Sequence, residues 1–245
     1  MPIPSVDSQT VAMSKEEGTP AEYEDAAAVA AEAWPVRAAV ADGATESVYA
    51  GHWASLLAEG LVGSAVTPEA LLDALPGLQA QWRAGVEKQA EVPWYVEAKA
   101  REGAFAALLG LELGTDGHWR AVGVGDCGLF HFRNGEQMEA WPTADPDAFT
   151  NRPALLPSRP SGDPPEPEAT TGTWAPGDTF VLATDAVAAW LLGTDPTQVL
   201  DASEETIRAT MREAQADGTL RPDDATLIVL TLAEPAPDRP ADTAP

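Results

Sequence analysis

Several short apolar runs in this chain start or stop on an acidic residue, and that pattern restricts the fold more than any other feature. "VRAAVADG" (36–43) climbs through alanines and valines to Asp42, with Gly43 behind it. "TFVLATD" (179–185) ends on Asp185 and "AVGVGD" (121–126) on Asp126, while "RPDDATLIVL" (221–230) sets Asp223 and Asp224 before its run. "EYED" (22–25) places Glu24 and Asp25 ahead of "AAAVAAEAW". Short, bounded apolar runs read as buried strands. A carboxylate at the end of such a strand is costly to bury without a partner. A divalent cation is one partner, because magnesium and manganese take hard oxygen ligands. Each acid also has an ordinary role open to it. Asp185 would serve as an N-cap for "AVAAWLL", Asp25 would cap an alanine helix, Asp42-Gly43 and Asp126 suit turns, and Asp223-Asp224 suits a solvated loop.

Helical patterns separate the strands. "GHWASLLAEGLV" (51–62) spaces Trp53, Leu56, Leu57 and Leu61 for one helix face. "TPEALLDAL" (67–75) offers Thr67 as N-cap and Pro68 in the first turn, with Pro76 ending the helix and a further helical stretch following in 77–90. "DASEETIRATMREAQADG" (201–218) pairs Asp201 with Glu204 at capping-box spacing, supplies Ile207, Met211 and Ala214 as a stripe, and stops at Gly218. Residues 104–113 read as a strand, and 118–137 as hairpins turning at Asp126 and at Asn134-Gly135. By propensity alone the alanine-rich "AEYEDAAAVAAEAW" (21–34) is a helix. The proline-dense 153–172 reads as a surface loop or flap. The expected organisation is a flexible 1–11, with poor order extending over roughly the first twenty residues, a domain over 12–233, and a disordered 234–245. Strands and helices come in groups, so the class is α+β and layered.

Charge narrows the function. The 39 Asp and Glu against 14 Lys and Arg give a formal −25, which disfavours nucleic acid and suits metal ions or basic partners. One cysteine, Cys127, precludes an intrachain disulfide and a multi-cysteine zinc site, and its acidic neighbour argues for a small buried residue. No run reaches the ~18 apolar residues of a membrane span, and the first residues lack signal-peptide character, so a cytoplasmic protein without a membrane partner is expected. His52, His118 and His131 lack ligand spacing and suit surface or packing positions. Trp53 and Trp190 suit the core, and Trp94 and Tyr95 a groove. Walker, Rossmann and Gly-x-Ser-x-Gly motifs are absent.

In order and context the acids resemble the metal-dependent protein phosphatases of type 2C, the PPM family, in its bacterial single-domain form. The family's Glu-Asp, Ala-Asp-Gly, Gly-Asp-Ser, Ser-Asp-Gly and late Asp-Asn/Asp-x-Thr appear as Glu24-Asp25, "VADG" (40–43), "VGDC" (124–127), "ATDA" (183–186) and "DDAT" (223–226). The resemblance implies a four-layer α/β/β/α sandwich of two mostly antiparallel sheets flanked by helices, and makes "AAAVAAEAW" a strand beside "VRAAVADG". It implies two Mn²⁺ or Mg²⁺ ions, with Asp42 bridging them and Gly43 offering its carbonyl. Asp185 and Asp223 would hold the first metal, Glu24 and Asp25 would act through waters on the second, and Asp126 would bind a third, weaker ion. A hydroxide bridging the metals would attack phosphorus in line. The implied activity is serine/threonine phosphoprotein dephosphorylation in bacterial signalling, with a cognate kinase as partner. The chain departs from the pattern in Pro20 where a phosphate-gripping Arg is usual, in "ATES" (44–47), in Cys127 for Ser and in Ala186 for Gly. These departures frame an alternative, a phosphatase-fold regulatory or binding module with weak or no catalysis. A third reading is an acidic α+β interaction protein without a metal site.

Overall fold

The computed structural model describes residues 3–15, 23–44, 49–87, 102–149, 153–160, 162 and 164–233. Two antiparallel sheets face each other. The first has the order β1 (Val6–Met13), β11 (Ala225–Leu232), β10 (Thr179–Ala183), β6 (Gly128–Arg133), β7 (Glu136–Trp141). The second runs β2 (Ala26–Ala30), β3 (Val36–Gly43), β4 (Phe105–Leu113), β5 (His118–Val124), β9 (Glu168–Thr173), with β8 (Leu156–Pro157) paired to β4. Helices α1 (Ala50–Val62) and α2 (Pro68–Glu87) cover the second sheet, and α3 (Asp185–Gly193) and α4 (Glu204–Asp217) cover the first. This is the expected α/β/β/α sandwich.

Burial on both faces explains the unbroken apolar runs. Along β3, Val36, Ala38 and Val40 enter the core between the sheets, while Ala39 and Ala41 lie under α1. The same pressure turns the alanine-rich 26–30 into a strand. Its pairing runs from Ala26↔Ala41 to Ala30↔Arg37, so ladder and packing outweigh the small helix preference of alanine.

Several local expectations are corrected. Within the expected flexible 1–11, residues 6–11 belong to β1, which pairs residue for residue with β11, from Val6↔Leu232 to Met13↔Ala225, and buries Val11 and Met13. Pro76 does not end a helix; α2 continues through it to Glu87. Leu71, Leu75, Leu78, Gln79 and Trp82 form one buried stripe across the proline, and that packing offsets the lost backbone bond. The residue capping α4 is Ser203, whose hydroxyl accepts from the Thr206 N–H at 3.2 Å, and Asp201 takes a left-handed conformation instead. The turn at Asp126 is no hairpin, since β5 and β6 belong to different sheets and the chain crosses the sandwich there. Part of 153–172 is strand: β8 and β9 join the second sheet. The Asn134-Gly135 turn is a hairpin, with both residues at positive φ. Trp53 and Trp190 are core, Cys127 is buried, and His52 and His118 are exposed. Trp94, Tyr95, Pro20, residues 45–47 and the 234–245 tail lie outside the described residues.

His131 has a packing role. It stacks on Phe180 with centroids 4.4 Å apart and bonds through Nε2 to Asp178 Oδ2 at 2.8 Å. Arg133 grips the same carboxylate with Nε at 2.8 Å and Nη2 at 2.7 Å, and the Ala175 N–H adds a bond at 2.9 Å. Burial alone would raise this acid; Arg133 first, then His131 and Ala175, hold it down at about 2. Asp178→Asn leaves the Arg133 guanidinium facing an amide in a closed site. It should destabilise the fold by about 2–4 kcal/mol in urea titrations at neutral pH. Because a lowered carboxylate stabilises only when ionised, the deficit should vanish as pH falls from the ordinary carboxylate range toward 2. An unchanged urea midpoint at neutral pH would contradict this role.

Candidate active site

The acids that stop or start the apolar runs meet at one end of the sandwich. Asp42 lies in β3 one residue before its end, Asp185 is the first residue of α3 after β10, and Asp223 and Asp224 precede β11. Asp25 precedes β2, and Asp126 sits where the chain crosses from β5 to β6. Asp185 is not an N-cap; Thr184 holds that position and spends its hydroxyl elsewhere. Gly43 is required by close approach, because a Cβ there would stand 2.6 Å from the Glu24 carbonyl oxygen and 2.9 Å from Ala50 Cβ. The Gly43 N–H donates to that carbonyl at 3.2 Å, tying β3 to the Glu24-Asp25 segment.

Threonines and backbone amides position these carboxylates. The Thr184 hydroxyl donates to Asp25 Oδ2 at 2.9 Å, and the Thr226 N–H donates to Thr184 Oγ1 at 3.1 Å. Thr226 also bonds through its hydroxyl to Tyr23 and Asp25. Asp224, buried, accepts from the N–H groups of Lys15 (2.9 Å) and Glu24 (2.8 Å), joining the two ends of the chain. Lys15 Nζ pairs with Glu24 Oε2 at 2.8 Å, and Arg221 Nη2 donates to Asp185 Oδ2 at 2.7 Å. Sequence reasoning missed Arg221, Tyr23, Thr184 and Thr226, although Thr184 and Thr226 stand inside the "ATDA" and "DDAT" motifs, and it named Asp224 without its anchoring role.

The remaining carboxyls repel one another in a poorly solvated space. Asp42 is raised well above its ordinary value, by burial first and then by Asp25 and Asp185, and its carboxyl is hydrogen-bonded to that of Asp185. Burial pushes Asp25 up to about 8 against its threonine bonds, with Asp224 and Asp185 adding to the rise. Burial and the charge of Asp185 push Asp126 up to about 7, and the buried Asp126 Oδ2 has no hydrogen-bond partner. Asp223 is raised by burial, with Asp185 contributing. Among the described residues no three His, Cys, Asp or Glu side chains already surround one point as a closed metal cage. Arg221 engages Asp185, backbone amides engage Asp224, and the Asp224 N–H occupies Asp223 Oδ1 at 2.9 Å. The donor set nevertheless fits a hard divalent cation, being all oxygen, recessed, crowded with like charge and holding an orphaned carboxylate oxygen.

Solved structures share this fold. The Mycobacterium tuberculosis serine/threonine phosphatase PstP/Ppp aligns with TM-score 0.64 at 18% identity, over 94% of this chain and 99% of its own. A PstP catalytic domain in complex with two manganese ions aligns with TM-score 0.61 at 19% identity, over 94% and 99%. PppA of Pseudomonas aeruginosa, described as a regulatory component of a type VI secretion system, aligns with TM-score 0.60 at 20% identity, over 94% and 99%. A comparison with curated protein sequences finds no match. The sequence profile of "Protein phosphatase 2C" matches residues 15–223, nearly the whole described domain, and the chain therefore belongs to the protein phosphatase 2C family.

Proposed function

We propose that this chain removes phosphate from serine or threonine of phosphorylated proteins at a dinuclear Mn²⁺ or Mg²⁺ centre built on its acid cluster. The family is one of serine/threonine protein phosphatases, and one structural neighbour holds two manganese ions. The observation that carries the reading is the gathering of Asp42, Asp185, Asp126, Asp25 and Asp223 at the strand ends, an all-oxygen, recessed donor set with an orphaned Asp126 carboxylate oxygen. Asp42 would bridge the two ions beside the Gly43 carbonyl, and Asp185 and Asp223 would hold the first. Glu24 and Asp25 would act on the second through water, and Asp126 would hold a third, weaker ion. When bound, such ions polarise phosphoryl oxygens and activate a water nucleophile. Around them Thr184 and Thr226 fix Asp25, Gly43 keeps β3 against Glu24, and Asp224 locks the segment carrying Glu24 to β11.

We assign the activity to bacterial signalling, with a cognate kinase supplying the phosphoprotein, because the neighbours named above are bacterial serine/threonine phosphatases or regulatory components. No helix among the described residues is long and apolar enough to cross a membrane, in keeping with a cytoplasmic site of action. The test is hydrolysis of a phosphoserine peptide and a small aryl phosphate by chelated protein, before and after adding Mn²⁺ or Mg²⁺. Turnover should be lost on chelation and return with either ion. Turnover that persists in excess chelator would overturn the metal centre, and metal binding without turnover would favour the regulatory module.

A further inference from the structure

Beside the acid cluster the sheets part, leaving a cavity of about 290 Å³ whose wall includes Gly123, Asp126, Trp141, Phe149, Glu166 and Glu168. Its construction follows from β5. Trp119 and Ala121 project from one face of that strand into the core between the sheets, and Gly123 continues the same face without a side chain. Trp141, the last residue of β7 on the other sheet, fills part of that space; a Cβ at Gly123 would stand 3.0 Å from its Cη2. Glu168 pairs directly with Gly123 across β5 and β9, so it belongs to the same face of the sheet, at its edge.

The lining selects a ligand. Carboxylates and aromatic rings contribute to it and, among the described residues, no lysine or arginine does. An anion is repelled, and a purely apolar group leaves the buried Asp126 Oδ2 without a partner and makes no use of Glu166 and Glu168 at the rim. A flexible organic cation satisfies both kinds of wall, its alkyl stem on Trp141 and Phe149 and its charged head toward the carboxylates. The volume lies at the low end for small-molecule sites and suits one side chain. Asp126 belongs to both the acid cluster and the cavity wall, so an occupant would sit next to the reacting phosphoryl group. We propose that this cavity is a specificity pocket for a basic side chain, arginine above all, flanking the phosphorylated residue of the substrate. As a statement about substrate the proposal rests on the phosphatase reading; as a binding site it does not.

The test therefore measures binding without turnover. The full chain is titrated calorimetrically with two unphosphorylated serine peptides, identical except for arginine or its neutral isostere citrulline beside the serine. The arginine peptide should bind about tenfold more tightly. The exposed pair Glu166→Gln/Glu168→Gln, which does not threaten folding, should bring its affinity down to that of the citrulline peptide. Gly123→Val, which crowds the cavity through Trp141, should weaken the arginine peptide as well. Equal affinities, no binding of either peptide, or a preference that survives the double substitution would overturn the pocket, the last by assigning the preference to overall negative charge. Retained arginine preference in a protein that hydrolyses no phosphoserine peptide would sink the phosphatase reading and leave the pocket standing.

Discussion

Asp42→Asn should lower Mn²⁺-dependent hydrolysis of an aryl phosphate by about a thousandfold or more and, at the same time, raise the melting temperature of the metal-free protein. Both effects have one cause. Asp42 is held at a strand end against the Asp185 carboxyl, within reach of the charges on Asp25 and Asp126. With a divalent ion that crowding is the source of affinity; without one it opposes folding. Asparagine keeps the shape and cannot ionise, so it deletes the proposed bridging ligand together with the cost of holding a raised acid among its acidic neighbours. Relief of about 1–2 kcal/mol corresponds to roughly 2–8 °C for a chain of this size. Steady-state rates with Mn²⁺ and a thermal melt in chelator measure the two arms. A variant within tenfold of the parent rate would remove Asp42 from the centre, and a lower melting temperature would show that its charge is compensated within the chain.

The second expected result concerns pH. In chelator, resistance to urea should fall as pH rises from about 4 through about 8. The sign follows from the raised carboxyls. Burial pushes Asp25 up to about 8 and Asp126 up to about 7 in the folded chain against an ordinary 3.8, and burial and acidic neighbours raise Asp42 well above that value too. The folded state therefore holds more protons than the unfolded one across that interval. The stabilisation is complete below the ordinary carboxylate range and is lost as pH climbs through the folded values, with a total on the order of several kcal/mol. Mn²⁺ should reverse the trend, since oxygen ligands bind it only when deprotonated and its stabilisation grows with occupancy. Urea midpoints at pH 5, 7 and 8.5, with chelator and with Mn²⁺, should diverge as pH rises. Parallel profiles would mean that these carboxyls are not the ion's ligands.

What was legible in the sequence divides along physical lines. Strands buried on both faces announce themselves as continuous apolar runs, so β3, β4, β10 and β11 were visible, as were the periodic α1 and the Gly218 stop of α4. The acids at the run ends stood out for the same reason. Strand β2 was not legible from composition, because alanine favours helix until β3 and α1 bury it; only the family pattern placed it. Strand β1 was missed because "VDSQTVAM" is a polar edge strand whose order comes from β11, some two hundred positions away. Pro76 misled because its local penalty is visible and the buried stripe across it is not. Within the site, Arg221 and the anchoring role of Asp224 escaped for a common reason. Their partners are Asp185 and the amides of Lys15 and Glu24, distant in sequence, and local spacing carries no information about them.

The bond from the Glu24 amide to Asp224 spans a sequence separation of 200, and that from Lys15 a separation of 209. Contacts this remote form late, because closing so long a loop costs entropy before any nearby contact compensates it. A ribosome releases the N-terminal segment first, so β1, Tyr23, Glu24 and Asp25 wait for β11 to emerge before they are fixed. The acid cluster is thus assembled only by a chain made through its last strand. A product truncated before Ala225 carries all four helices described above and every described strand of the second sheet, yet lacks the strand that fixes the acid cluster.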